Sequence, residues 1–238
     1  MKNFVDVCLS PNLIDLYDLE GKIVVVVDIL RATSVMVTAM AHGVKSIRPV
    51  AQLEEARAYL GKENHICAAE RGGDMVEGFA FGNSPLSYMN GEVEGKNMVM
   101  TTTNGTLAIT KSKSADEVLV GAFLNITALA DYISKQSKDV IIHCAGWKGK
   151  TNMEDTLFAG ALVKKLLQTH HLGCDTPSMA LTFYQAVKDK LYETVKDSSH
   201  AKRLNGLSIV KDIEFCMKMD KYDIVPKLQG DVLVNSIS

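Results

Sequence analysis

The sequence contains no CxxC pair, no HxH or HExxH, no GxxxxGK[ST] and no GxGxxG. Zinc sites of the common spacings are therefore not expected. Nucleotide binding through a P-loop or a Gly-rich dinucleotide turn is not expected either. The five cysteines stand far apart, at 8, 67, 144, 174 and 216, an odd number without paired spacing. A disulfide framework is not expected, and a reducing, cytoplasmic setting is the reading that follows. Excess charge of one sign is also missing, since 26 Lys and Arg meet 28 Asp and Glu for a formal balance of −2. That balance offers no footprint for nucleic acid, and no Lys/Arg block suggests an anionic membrane surface. Long apolar runs are absent too: the longest aliphatic run, residues 23–27, is far too short to span a bilayer. The opening MKNFVDVCLSPNLIDLYDL has scattered acids and no apolar stretch, so it does not read as a signal peptide.

Hydrophobic residues make up 47% of the 238-residue chain, enough for a sizeable core. Short aliphatic runs at 23–27, 46–50, 65–69, 97–101, 117–120 and 140–144 read as buried strands. Segments 33–42, 52–60, 106–112, 126–136 and 153–170 read as helices. This alternation predicts a three-layer α/β/α arrangement around a mixed, largely parallel sheet. After residue 171 the chain becomes more charged and helical, over 177–195 and 208–219, and residues 231–234 read as an edge strand. No repeat or Pro/Ser linker divides the chain, so one domain over 1–238 is expected, with a separate helical subdomain after about Gly173 as the rival. Oligomeric state is left open, a homo-oligomer included.

Polar residues collect where the strands end. Asp28 follows IVVVV, and Glu70 and Arg71 follow HICAA. TTTNGT (101–106) follows NMVM, and Cys144, Ala145 and Gly146 close DVIIHC, with Glu154 and Asp155 shortly after. In an open α/β sheet ligands bind beyond the carboxyl ends of the strands, so parallel strands bring these residues to one crevice. Each also has a plain structural role. Asp28 fits a helix cap, Glu70–Arg71 a surface ion pair and Asn104–Gly105 a turn. Glu154–Asp155 suits a helix N-terminus, Asn83–Ser84 caps a helix starting at Pro85, and Cys144 an inert core thiol. Gly72–Gly73 allows close backbone approach to a ligand. Taken together, a phosphate-handling site needs cations, fixed donors and carboxylates. Arg31 and Arg71 supply the first, Thr102 and Asn104 with nearby N–H groups the second, and Asp28, Glu70 and Asp155 the third. Oxygen ligands of this kind suit Mg²⁺.

VVVVDILRATS, AAERGG, GFAFGNSPLSY, TTTNGT and CAGWKG with its later Glu-Asp resemble the 2-phosphosulfolactate phosphatase family, in that order along the chain. SSHAKRLNGL and DIEFC resemble it more weakly. The resemblance implies Mg²⁺-dependent removal of phosphate from a small phosphorylated, sulfonated acid, as in coenzyme M biosynthesis. Carried onto this chain, it points to Asp28, Arg31, Arg71 and Asn104 as catalytic and to Asp28, Glu70 and Asp155 as metal ligands. Gly72, Gly73, Asn83, Ser84, Thr102, Thr103, Gly105, Cys144 and Gly146 are then expected around the substrate. Two other functions compete. A non-catalytic binder of a phosphorylated or sulfonated acid would use the arginines, glycines and hydroxyls, but has no use for three carboxylates in one crevice. A dinucleotide-dependent dehydrogenase would account for VVVVD, but the Gly-rich turn it needs is missing.

Overall fold

The computed structural model describes residues 3–204 and 207–237. In chain order it contains β1 (Asn3–Cys8), β2 (Ile23–Val27), α1 (Ala32–Ala41), β3 (Ser46–Pro49), α2 (Leu53–Arg57), β4 (His65–Arg71), β5 (Asp74–Met75), β6 (Asn97–Thr101), α3 (Gly105–Lys111) and β7 (Glu117–Gly121). There follow α4 (Ile126–Ser134), β8 (Val140–Cys144), α5 (Met153–Leu166), β9 (His170–Leu172), α6 (Asp175–Val187), α7 (Leu191–Val195), α8 (Ser199–Arg203), α9 (Leu207–Cys216), β10 (Pro226–Gln229) and β11 (Val232–Asn235).

The strands form one eleven-stranded mixed sheet, in the order β5-β4-β6-β3-β11-β10-β7-β2-β8-β1-β9, with helices on both faces. Every residue of β2 and β8 is buried, which is why these strands read as unbroken aliphatic runs rather than alternating ones. Val24, Val25 and Val26 lie between β7 and β8 in parallel register. One hydrophobic core reaches from Val5 on β1 to Leu233 on β11. Gly160 lets α5 and α6 touch, since a Cβ there would lie 2.0 Å from the Ala180 carbonyl oxygen.

The sheet has two parallel blocks, β4-β6-β3 and β7-β2-β8-β1-β9, joined by the antiparallel hairpin β10-β11. The predicted edge strand near 231–234 is thus corrected to a central one, with β3 on one side and β10 on the other. Its half-buried alternation reports side-chain burial, whereas an edge is defined by missing backbone partners, and the two are independent. Three antiparallel pairings lie between β3 and β7, so the two blocks run in opposite senses. A flat sheet would place their carboxyl ends at opposite edges. One crevice nonetheless takes residues from the ends of both blocks, so the sheet is curled rather than flat between them. The sequence reading missed β1, β5, β9 and β10, which lack an unbroken aliphatic run, and ran the helix after residue 153 through to 170, where α5 stops at Leu166 and β9 begins at His170.

Candidate active site

Asp28 leaves the end of β2 and is fixed by the first turn of α1. Thr33 Oγ1 donates to the Asp28 carbonyl at 2.9 Å and accepts from the Asp28 N–H at 3.1 Å. Ser34 Oγ donates to the Ile29 carbonyl at 2.9 Å. The Asp28 carboxylate takes a backbone hydrogen bond from Ala32, so capping α1 and facing the crevice are compatible. Burial, with the nearby Glu70 and Glu154 charges, pushes the Asp28 carboxyl up to about 6, against the pull of His200 and the Ala32 amide.

A narrow crevice opens at this point. It is lined by Asp28, Leu30, Arg31, Glu70, Gly73, Asn83, Asn104, Trp147, His200 and Leu204. Arg31 enters it after the cis Leu30–Arg31 peptide. Its guanidinium donates to Asp212 Oδ2 at 2.5 Å and to the Gly73 carbonyl at 2.9 Å, while its buried Nε–H has no partner among the described residues. Asn83 Oδ1 is likewise buried without a partner among them. Two polar atoms of crevice-lining side chains are therefore left for something other than the protein, which is how a ligand site differs from a finished core.

Glu70 ends its strand beside the hairpin turn Gly72–Gly73. Both glycines have positive φ, +68° and +103°, as a two-residue turn between β4 and β5 requires. Glu70 Oε1 accepts from Gly73 N at 2.6 Å and from Thr103 Oγ1 at 3.2 Å, and Oε2 accepts from Thr103 N at 3.1 Å. It thereby binds the ERGG turn to the TTTNGT loop and holds Asn104 at the crevice wall.

Of the predicted residues, the structure brings Asp28, Arg31, Glu70, Gly73, Asn83 and Asn104 into the crevice. The others lie outside its lining. Arg71 points away, donating to Thr101 Oγ1 at 2.9 Å and to the Glu70 carbonyl at 2.7 Å. Neighbours on a strand project to opposite faces, so Glu70 and Arg71 cannot both face one ligand. Gly72 serves the hairpin turn. Ser84 acts at one remove, donating to Asp212 Oδ1 at 2.6 Å behind Arg31. Thr102 Oγ1 accepts from Thr106 N at 3.2 Å and so caps α3, and Thr103 supports Glu70. Gly105 packs against Asp28. Cys144 is fully buried, and burial together with Asp155 raises its thiol well above the usual range, the opposite of a nucleophilic thiolate. Gly146 makes a tight turn, φ +56°, and donates to Asp155 Oδ2 at 3.0 Å.

The predicted set of Asp28, Glu70 and Asp155 does not assemble around one point. Asp155 spends both oxygens on backbone amides, of Ile29 at 2.9 Å and of Gly146, and so clamps the loop after β2 to the loop after β8. Its burial and the charges of Glu154 and Asp28 push its carboxyl well above the ordinary range. Among the described residues no three His, Cys, Asp or Glu side chains are placed to hold a metal ion.

The sequence reading missed His200, Trp147 and Asp212 at this site. His200, on α8, accepts or donates through Nδ1 to Glu154 Oε1 at 2.5 Å. Its ring lies against Trp147, and the Arg203 guanidinium sits over the other ring system's face at 4.4 Å from the Trp147 centroid. Their signals were SSHAKRLNGL, CAGWKG and DIEFC, which resembled the family without suggesting roles. Asn205 and Gly206 of the first lie outside the described residues.

Comparison with known proteins agrees with the motifs. A family model described as 2-phosphosulpholactate phosphatase matches residues 8–231. A protein of Caldanaerobacter subterraneus subsp. tengcongensis named probable 2-phosphosulfolactate phosphatase is 43% identical over 237 residues, covering 98% of each chain. Proteins of the same name from Thermotoga petrophila and Clostridium tetani are 40% identical over 230 residues and 33% identical over 231. The first covers 97% of each chain, and the second covers 96% of this chain and 99% of its own. With its motifs in order and the match running almost end to end, the chain belongs to the 2-phosphosulfolactate phosphatase family.

Proposed function

We propose that this chain hydrolyses a small phosphate monoester, 2-phosphosulfolactate, to 3-sulfolactate and phosphate, with Mg²⁺ as cofactor. Family membership supports the reaction, and the observation that carries the site is the convergence of Asp28, Arg31, Glu70, Asn83 and Asn104 on one narrow crevice.

The charges around the crevice bear on the cofactor. Asp28 and Glu70 line it, Asp212 and Glu154 stand directly behind, and Arg31 already has Asp212 as partner. A substrate carrying several negative charges would meet net repulsion here unless a cation entered with it. Asp28 fits Mg²⁺, which usually takes one or two carboxylates and completes its shell with water and substrate phosphate. Asp155 and Glu70 fit less well, because donors already occupy both oxygens of each: backbone amides at Asp155, and Gly73 N with Thr103 at Glu70. Mg²⁺ bound there would neutralise phosphoryl charge and polarise the phosphorus–oxygen bond.

The chain's own residues orient the ester. The free Nε–H of Arg31 and the side chain of Asn104 offer donors to phosphoryl oxygens, and a fixed donor of this kind is worth most where charge builds up in the transition state. Asn83 lines the same crevice, where its amide NH₂ can donate to an anionic oxygen of the acid. Asp28, held by Thr33 and Ala32, is the carboxylate placed to attack phosphorus or to orient the attacking water. A pure anion binder would have no need of two carboxylates in the same crevice.

The test is phosphate release from 2-phosphosulfolactate, 2-phospholactate and other small esters, with Mg²⁺ and with chelator. Release from the first, lost on chelation, is the expected result. Tight binding of the ester without release would leave the non-catalytic binder, and chelator-insensitive release would remove the metal from the proposal.

A further inference from the structure

His200 is held differently from the other crevice residues. Glu154, in the first turn of α5, is fully buried, and His200 is 3% exposed. An ionised carboxylate can only accept, so in the 2.5 Å contact with Glu154 Oε1 the hydrogen belongs to His200 Nδ1. Nε2, on the far side of the ring, has no hydrogen bond among the described residues, and His200 lines the crevice together with Asp28, Arg31 and Asn104. The ring and the start of its helix are each held in place. Trp147 lies against the imidazole, with centroids 5.4 Å apart and planes at 34°. Ser198 Oγ accepts from the Ala201 amide at 3.0 Å and fixes the start of α8. A buried ionisable pair is weak evidence for stability, because desolvation offsets its attraction. Glu154 even leaves Oε2 buried without a partner among the described residues. An arrangement that costs desolvation and fixes one tautomer is what a proton-transferring histidine needs.

We propose that His200 is the general acid that protonates the leaving ester oxygen, and that Glu154 is the positioning residue that sets its tautomer and direction. This rests on the phosphatase reading above. The attacking oxygen forms its bond to phosphorus as the ester phosphorus–oxygen bond breaks. With Nδ1–H held by Glu154, His200 donates as the imidazolium: the ester oxygen departs with the bonding pair, takes the Nε2 proton and leaves as the alcohol, and His200 is left as the neutral Nδ1–H tautomer. The water that attacks phosphorus, directly or at an Asp28 phosphoryl ester, keeps one O–H on the phosphate and passes its other proton to Nε2, which restores the imidazolium. The alkoxide of a 2-hydroxy acid is a poor leaving group, so this proton transfer is worth about 10²–10⁴-fold.

The experiment compares two leaving groups. Acetate leaves from acetyl phosphate without needing a proton, whereas sulfolactate leaves from 2-phosphosulfolactate as an alkoxide. For His200→Asn, kcat/KM on 2-phosphosulfolactate is expected to fall about 10²–10⁴-fold, with a loss on acetyl phosphate at least about tenfold smaller. Glu154→Gln, which keeps the shape of the contact, is expected to show the same bias with a smaller loss, and it decides the matter where His200→Asn does not fold. Equal losses on both substrates would reduce the pair to a structural element and overturn the proposal. Wild-type turnover of 2-phosphosulfolactate separates the two levels. If it is absent, the phosphatase reading fails; if it is present and the variants lose both substrates equally, only the assignment of His200 fails.

Discussion

Gly105 packs on Asp28 so closely that a Cβ at residue 105 would lie 2.9 Å from Asp28 Oδ2 and 2.6 Å from the Ala32 Cβ. Neither neighbour is the loose end of a long side chain. Ala32 opens α1, and Asp28 is tied to the same turn through Thr33. Gly105 is therefore required by close approach across two elements, not by a special backbone angle. A methyl group here must push the Asp28 carboxylate out of line. Gly105→Ala is expected to lower kcat by about 10²-fold, the scale of a misplacement near 1 Å, with circular dichroism unchanged. Near-normal turnover would mean that Asp28 needs no such accurate placement.

Asp28 itself is expected to weaken the fold that holds it. Its carboxyl is raised to about 6 by burial and by the Glu70 and Glu154 charges. A carboxyl raised in the folded state favours folding below its unfolded value and loses that contribution as pH rises through the folded value. At pH 8 the buried charge therefore costs stability, on the order of 1–3 kcal/mol at about 1.4 kcal/mol per pH unit. Asp28→Asn keeps the acceptor for the Ala32 amide and removes the charge. In chelator at pH 8 the variant is expected to melt several degrees above the parent, the gap narrowing as pH falls through about 6 and closing as pH nears the ordinary carboxyl value of 3.8, while turnover is lost. A helix cap and nothing more predicts the reverse, a small loss of stability with turnover kept.

His143 sets the acid limit of stability. Ser112 Oγ donates to the Ala108 carbonyl at 2.9 Å, so at 2.9 Å from His143 Nδ1 it accepts, and the imidazole is the neutral Nδ1–H form. Nε2 is buried without a partner among the described residues, and burial, then Lys111, lowers the group from 6.5 to about 4. A lowered histidine contributes fully above its unfolded value and loses that contribution as pH falls through the folded one. Between pH 6.5 and 4 the fold is expected to lose about 3 kcal/mol from this group, at about 1.4 kcal/mol per unit. Urea unfolding of parent and His143→Gln across that window is the check. Parallel acid limbs in the two proteins would rule His143 out as their cause.

How far the sequence reading reached follows from what each signal encodes. Asp28, Glu70 and Asn104 were legible because buried parallel strands are unbroken aliphatic runs, and the first polar residue after such a run stands at its end. The parity of Arg71 was legible in principle. β4 runs through Arg71 rather than stopping at Ala69, and once the strand is carried to its true end, alternation sends Glu70 and Arg71 to opposite faces. Asp155 was misjudged because acid near a strand end describes a ligand and an amide clamp equally well. His200 was out of reach. It sits on a five-residue helix and meets the crevice only through tertiary packing, which no local period records.

The two arginines proposed for phosphate give the sharpest contrast. Arg31 is 4% exposed and faces the crevice with Nε–H unpaired, its other nitrogens fixed by Asp212 and the Gly73 carbonyl. Arg71 is spent on the opposite side, on Thr101 and on the carbonyls of Glu70 and Ala51. Lysine keeps the charge at either place but loses the planar fork that makes several bonds at fixed angles. At residue 31 the lost donor is one that would meet phosphoryl oxygen as charge develops, so Arg31→Lys is expected to cost kcat about 10²–10³-fold. At residue 71 the lost bonds only join β4 to its neighbours. Arg71→Lys is expected to cost about 1 kcal/mol of stability and to leave kcat within about threefold, a change too small to mark a lost transition-state contact. Steady-state kinetics and urea unfolding on both variants separate kcat from stability. A comparable loss of kcat in both would mean that Arg71 reaches the substrate after all, and that β4 must turn over its end when the ester binds.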